Sequence, residues 1–432
     1  MNKRIFRLAI PNIISNITIP LLGIVDTALM GHLKSLTYVG AIALGSMIFN
    51  FLYWGMGFLR MGTLGFTGQA HGASDSVEVS LVLQRSILIA LSLAAIILFI
   101  HPWIIEGGLS LTHSSEAIKT EASNYFNVRI WALPASLVIL SLSGWFVGMQ
   151  NTYYPMLISI ISNVANIILS FVFVFHFQMK TEGVALGTVL AQYIALIIGI
   201  ILWLKKYRSY WFKAKWRELV NYKLTAFMHV NKDIFIRSLG IIFVLSYFTI
   251  KSANISDTSL AVNTLLFQFF IFFSYLMDGF ANAGEALSSK AIGEKNIYKL
   301  KEVIKSTFIL GLGFSLIFTL IYAFTGEYIL KLLTNNQDLL AATTPLLFWV
   351  VALPTLSFPA FIFDGIFVGA TASVAMRNTM IMATLLIFIP IMYSGFGDDI
   401  VRLWTAFLAF MFARGILLIL YLKKSVLSKI KL

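Results

Sequence analysis

The sequence predicts an all-α integral membrane protein of twelve transmembrane helices in two pseudo-symmetric six-helix lobes. Three observations lead there. Of 432 residues, 59% are apolar and only 12% charged, roughly half the charged share of a soluble domain; with mean hydropathy at +0.86, the polar supply is too small to cover a water-facing surface. Twelve apolar segments approach or exceed the length needed to cross about 30 Å of hydrocarbon. The segments also repeat themselves at a period near 220 residues.

The first span, 8–31, follows Lys3, Arg4 and Arg7 in the manner of a signal peptide. Its apolar run continues past Pro20 to Met30, contains Asp26 and has no small-residue cleavage site, so it reads as a retained helix. Spans two to six are 37–59, 84–104, 122–148, 154–177 and 183–204. The stretch 205–232 then mixes Lys and Arg with Tyr207, Tyr210, Trp211, Phe212 and Trp216. Interleaved cations and aromatics suit a headgroup layer. This stretch reads as a partly helical cytoplasmic interfacial linker, the hinge between an N-lobe (1–204) and a C-lobe (233–432), with no chemistry of its own. Spans seven to twelve are 233–253, 258–283, 300–324, 341–369, 376–393 and 400–422, of which the eleventh is short and interrupted by Pro390.

The repeat is carried by three matches in order. Ala132-Leu133-Pro134 recurs as Ala352-Leu353-Pro354, Phe146-Val147-Gly148 as Phe367-Val368-Gly369, and Gln69-Ala70-His71-Gly72 has its counterpart in Lys290-Ala291-Ile292-Gly293. A shift of six spans preserves orientation, so the halves are parallel repeats, an arrangement that places a substrate path at their interface.

The net charge of +13 is a topology signal before it is a nucleic-acid signal. Twenty-four of the 32 Lys and Arg fall on the face holding both termini and the 205–232 linker, and seven on the other. Arg60, Arg85, Arg237 and Arg377 are among the 24. The positive-inside rule puts that face in the cytoplasm. The absence of cysteine excludes disulfides, thiolate metal sites and a cysteine nucleophile. The six histidines show no metal-ligand spacing and complete no Ser/His/Asp set, which argues against an enzyme.

Charged side chains inside hydrocarbon are expensive and are functional candidates by default. Asp26 stands in span one about five residues, or about 8 Å, from its outer end. Span five carries Asn163, Asn166 and Ser170, the last two on one helix face, and span six carries Thr188. A carboxylate, an amide and two hydroxyls thus converge on one depth of the N-terminal half. Oxygens of this kind suit Na⁺, whereas the carboxylate alone suits a proton, since burial favours the neutral acid. The alternative is a carboxylate that only caps or ties helices. In the second half Asp278, Asp364 and Arg414 lie nearer the cytoplasmic ends of their spans. Arg414 paired with one of the two acids would be structural; otherwise the three form a gate or second coupling site. Glu285 reads as interfacial and solvated. Pro11 interrupts the hydrogen-bond ladder of span one, as a static kink or as a functional bend.

At these residues the chain resembles the multidrug and toxic compound extrusion (MATE) family, specifically its DinF-like branch. The resemblance covers essentially the whole chain. It rests on Val25-Asp26-Thr27 with Gly31-His32-Leu33, on Phe58-Leu59-Arg60-Met61-Gly62-Thr63 with Gly68-Gln69-Ala70, on Asp278-Gly279-Phe280-Ala281 with Glu285-Ala286, and on Phe363-Asp364-Gly365-Ile366 with Gly369-Ala370-Thr371 and Met376-Arg377. It implies a two-lobe antiporter exporting cationic or amphipathic small molecules by alternating access against inward H⁺ or Na⁺. It implies a coupling role for Asp26, with Asn166 and Thr188 in the same site, Na⁺ being the metal that site would hold, and a bend of helix 1 at Pro11. The DinF-like pattern often has an Asp where this chain has Ser170, which halves the formal negative charge of that site and shifts weight to Asp364, similar to an acidic C-lobe position of other branches. No cofactor beyond the coupling ion is expected. The expected partners are small-molecule substrates and membrane lipids, not nucleic acid, for a monomer in the bacterial inner membrane with both termini cytoplasmic. A lipid or lipid-linked substrate flippase of related two-lobe fold is the alternative, which the mostly acidic mid-membrane charges disfavour.

Overall fold

The computed structural model describes the backbone of residues 1–31, 36–112, 114–395 and 397–430, and side chains outside 19–36. Helix α1 is Asn2–Gly31. Eleven further helical spans among the described residues are long and apolar enough to cross a membrane. They are α2 (Thr37–Gly72), α3 (Ser76–Ser110), α4 (Glu116–Gly148), α5 (Tyr153–His176), α6 (Thr181–Tyr210), α7 (Tyr222–Ile255), α8 (Asp257–Gly293), α9 (Ile297–Leu333), α10 (Gln337–Gly369), α11 (Ser373–Met392) and α12 (Asp399–Lys429). The twelve-helix order expected from hydropathy is therefore present. Most helices run past the apolar cores that announce them. Span two, for instance, extends from the expected end at residue 59 to Gly72 after a turn at Met56–Gly57. Their polar ends are still helical because backbone groups are best satisfied within the helix even beside the membrane. The short eleventh span, α11, carries π-helical turns over Thr384–Phe388 just before Pro390.

The chain divides into two compact units, one made of Ile14–Phe227 and the other of Met1–Ile13 with Met228–Leu432. Helix α1 is continuous through Pro11 and belongs to the second unit up to Ile13. Asn12 donates its side-chain amide to Leu8 O at 2.9 Å beside that proline.

Within each unit the same contacts recur 221 residues apart. In the first, α4 lies so close to α2 that a Cβ at Gly144 would overlap the Arg60 carbonyl oxygen, and one at Gly148 would meet Thr67 Cβ at 2.7 Å. In the second, α10 lies on α8, where a Cβ at Gly365 would overlap the Ala281 carbonyl and one at Gly369 the Ser288 hydroxyl. Small-xxx-small pairs of this type let backbones approach where lipid offers no hydrophobic drive to association. The turns repeat as well. Ser74 and Lys295 are left-handed with φ of 58° and 53°, as are Gln150 and Thr371 with 63° and 49°. Asp75 and Asn296 then cap α3 and α9 by accepting the N–H groups of Glu78 and Lys299, each at 2.9 Å. The internal repeat read from three short matches thus extends to backbone geometry.

A side chain at Gly365 must push two helices apart. Gly365→Val is expected to lower stability by about 3 kcal/mol, the upper part of the range for overpacking. Gly313→Val, where an added Cβ meets nothing within 4 Å, is the matched control. Thermal unfolding in detergent compares them, and equal midpoints would refute the close-packing argument.

Candidate functional site

In the first unit α5 and α6 bring three of the sequence-derived candidates together. Asn166 is buried, and its amide nitrogen donates to Thr188 Oγ1 at 2.8 Å. Thr188 Oγ1 in turn donates to Val184 O, one turn earlier in α6, at 3.1 Å. The Thr188 proton is thereby committed, so one of its lone pairs receives the Asn166 N–H and the Asn166 oxygen points elsewhere. That oxygen, Asn166 Oδ1, and the hydroxyl of fully buried Ser170 have no hydrogen-bond partner among the described residues. Ser170 sits against α6, where a Cβ at Gly187 would lie 2.6 Å from its Oγ. Gly187 therefore allows the close approach that seats Ser170 against α6.

Asn163 is directed elsewhere. Its amide donates to Thr18 Oγ1 on α1 at 2.8 Å, which ties α1 to α5 one turn before Asn166. Asp26 is on α1, but its side chain lies outside the described residues. The Na⁺ set of Asp26, Asn166 and Thr188 can be followed only through its last two members, and Thr188 is there engaged on both sides by Asn166 and Val184.

In the second unit Asp364 on α10 receives two guanidiniums on the same oxygen. Arg414 Nη2 on α12 reaches Asp364 Oδ2 at 3.2 Å, and Arg237 on α7 contacts that oxygen as well. Arg414 also places Nη1 3.4 Å from Met411 Sδ and stacks 5.5 Å from the Phe410 ring. Asp278 on α8 is close enough for its charge to act on Arg414. Arg414 is thus paired, with Asp364 as its hydrogen-bond partner.

Two charges differ from their sequence reading, and a third proves to be buried. Arg237, counted among cytoplasmic loop cations, is buried on α7 and bonded to Asp364. Arg85, counted as a topology charge, is 1% exposed. Glu285, expected to be solvated, is 2% exposed. The available signal was position. Arg237 follows Asp233 by one helical turn at the start of an apolar run, and Arg85 follows Glu78 by two turns, so each has an acid on its own helix face.

The MatE family model matches residues 11–172 and again 234–394, one copy per half. Over 428 residues the chain is 34% identical to the DNA damage-inducible protein F of Escherichia coli, covering 96% of this chain and 90% of that protein. It is 24% identical over 363 residues to the multidrug resistance protein NorM of Photobacterium profundum, covering 80% and 77%. The crystal structure of the Vibrio cholerae MATE transporter VcmN in the bent form superposes with a TM-score of 0.89 over 99% of this chain and 97% of that one, at 18% identity. Two copies of the family domain, a full-length relative and a shared two-lobe, twelve-helix architecture agree, and the chain is a multi-pass membrane protein belonging to the MATE family of efflux transporters.

Proposed function

We propose that the protein is a secondary antiporter that exports cationic or amphipathic small molecules by alternating access, driven by inward H⁺ or Na⁺ through the first half. The observation that carries this reading is the pair of buried oxygens on α5, Asn166 Oδ1 and Ser170 Oγ, which have no hydrogen-bond partner among the described residues. Buried oxygens without a donor are costly unless a cation or a proton donor visits them.

Helix geometry supports Asp26 as the third member. The Thr18–Asn163 hydrogen bond fixes the register of α1 against α5, and both are odd-numbered spans running in the same direction. At about 1.5 Å per residue, residue 26 lies about 12 Å beyond Thr18, and residue 170 about 10 Å beyond Asn163. The acidic position and Ser170 therefore share a level. In this reading Asp26 supplies the charge, Asn166 and Ser170 the open oxygens, and Thr188 holds the Asn166 amide in its orientation. With Ser170 in place of a second carboxylate, the site holds one formal negative charge and is matched by one cation. The excess of Lys and Arg on one face further supports both termini being cytoplasmic, in a bacterial inner membrane.

Proteoliposomes loaded with a fluorescent organic cation test the proposal. An imposed pH or Na⁺ gradient is expected to drive its movement opposite to the ion, and only one of the two gradients is expected to suffice. Movement indifferent to both gradients would refute the antiporter reading.

A further inference from the structure

The 205–232 stretch looks like a hinge in sequence, but its backbone is pinned. Arg85, buried on α3, donates from Nε to Leu219 O at 3.1 Å and from Nη2 to Glu218 O at 2.8 Å, while Nη1 pairs with Glu78 at 2.8 Å. The other Glu78 oxygen takes Lys223 Nζ at 2.9 Å. Half a turn away, Gln84 Nε2 donates to Phe212 O at 2.8 Å, and Phe212 N donates to Ser80 Oγ at 3.1 Å. Arg85 thus spends its donors on two backbone carbonyls and a carboxylate, and a buried guanidinium with these partners is held rigidly. Residues 212–223 are fastened to α3 at both ends.

A few residues later α7 is fastened to the other unit. Asp233 accepts Arg377 Nη1 at 2.6 Å and Ser373 Oγ at 2.9 Å, both from α11. Arg237, one turn on, meets Asp364. Between the two latches Phe227 still packs on Phe66 of the first unit, with ring centroids 5.3 Å apart, whereas Met228 is 50% exposed. The boundary between units falls at that same step, Phe227 to Met228.

We propose that Arg85 is a positioning residue for transport: it makes the basic linker a fixed part of the first half and confines the joint on α7 to one turn, Met228–Val230. A helix crossing between bodies transmits rotation, whereas a slack loop would absorb it. The proposal rests on the alternating-access reading for its role in turnover, and on the latch geometry alone for its location.

The whole chain in lipid nanodiscs provides the test. The sequence has no cysteine, so introduced cysteines carry the only spin labels. Ser92→Cys with Lys213→Cys, both exposed, measures the linker against α3. Lys213→Cys with Tyr298→Cys, the latter 82% exposed, measures across the joint. The first pair is expected to keep one narrow distance at every pH and Na⁺ concentration, and to broaden in Arg85→Ala but less in Arg85→Lys. Turnover in Arg85→Ala is expected to fall several-fold with substrate Kd unchanged. A first pair that shifts by about 5 Å or more between conditions in the native background, the size of a one-turn displacement, would place the hinge in the linker and overturn the proposal. So would a first pair that stays narrow in Arg85→Ala. If the first pair behaves as expected while the second never moves, the latch stands and the transport reading falls.

Discussion

Asp26→Asn is expected to abolish gradient-driven export while leaving a folded, inserted protein that still binds its substrate. Coupling requires that the ion and the substrate change each other's affinity, and such coupling is typically about 1–3 kcal/mol, or 5- to 150-fold. An amide keeps the shape of the carboxylate but neither binds a proton at physiological pH nor carries charge to Na⁺. Removing the one formal charge at the level of Ser170 should therefore erase the affinity difference on which the cycle depends. Uphill accumulation in vesicles and equilibrium binding are measured side by side. Asp26→Glu, which restores the charge on a longer stem, is expected to recover part of the transport. Undiminished uphill transport by Asp26→Asn would remove the basis of the proposed coupling.

Asp364→Ala is expected to have the largest effect on stability, a loss of about 3–5 kcal/mol, because breaking a buried ion pair from one side strands the remaining charge. Here two guanidiniums, Arg237 and Arg414, would be left without the oxygen they share. Thermal unfolding in detergent reads the effect. The double variant Asp364→Ala with Arg237→Gln is expected to be more stable than the single one, since it removes one of the stranded charges. A protein with unaltered unfolding but lost transport would instead place Asp364 in the coupling machinery. The geometry argues for the first outcome, since both guanidiniums take the same Asp364 oxygen.

The fold was legible because a membrane imposes length and hydropathy on each helix separately. It was less legible at helix ends, where Gly72, Gly293 and Tyr210 close helices that continue beyond the apolar run. The α5–α6 site was partly legible. Asn166 and Ser170 are four residues apart and therefore share a face, but nothing local says that Asn163 turns instead toward Thr18. Nor does spacing reveal that Thr188 has its proton and one of its lone pairs engaged. Burial of Arg85 and Arg237 was only hinted at, by the acids on their own helix faces. The rule that cations mark the cytoplasmic face counts them without asking what each one bonds, and beyond Glu78 the groups that hold them lie more than a hundred residues away, at Leu219 and Asp364.

The 221-residue correspondence also maps each charge of one half onto the other. Asp278 and Asp364 fall on Gly57 and Ser143, Glu285 on Leu64, and Arg85 on Ser306. The duplicated skeleton kept its glycine contacts and its left-handed corners, while the ionisable groups diverged completely at these places. A copied scaffold with such a division of labour does not run the same half-reaction twice, and exchanging equivalent segments between its halves would preserve their shape but not their electrical character.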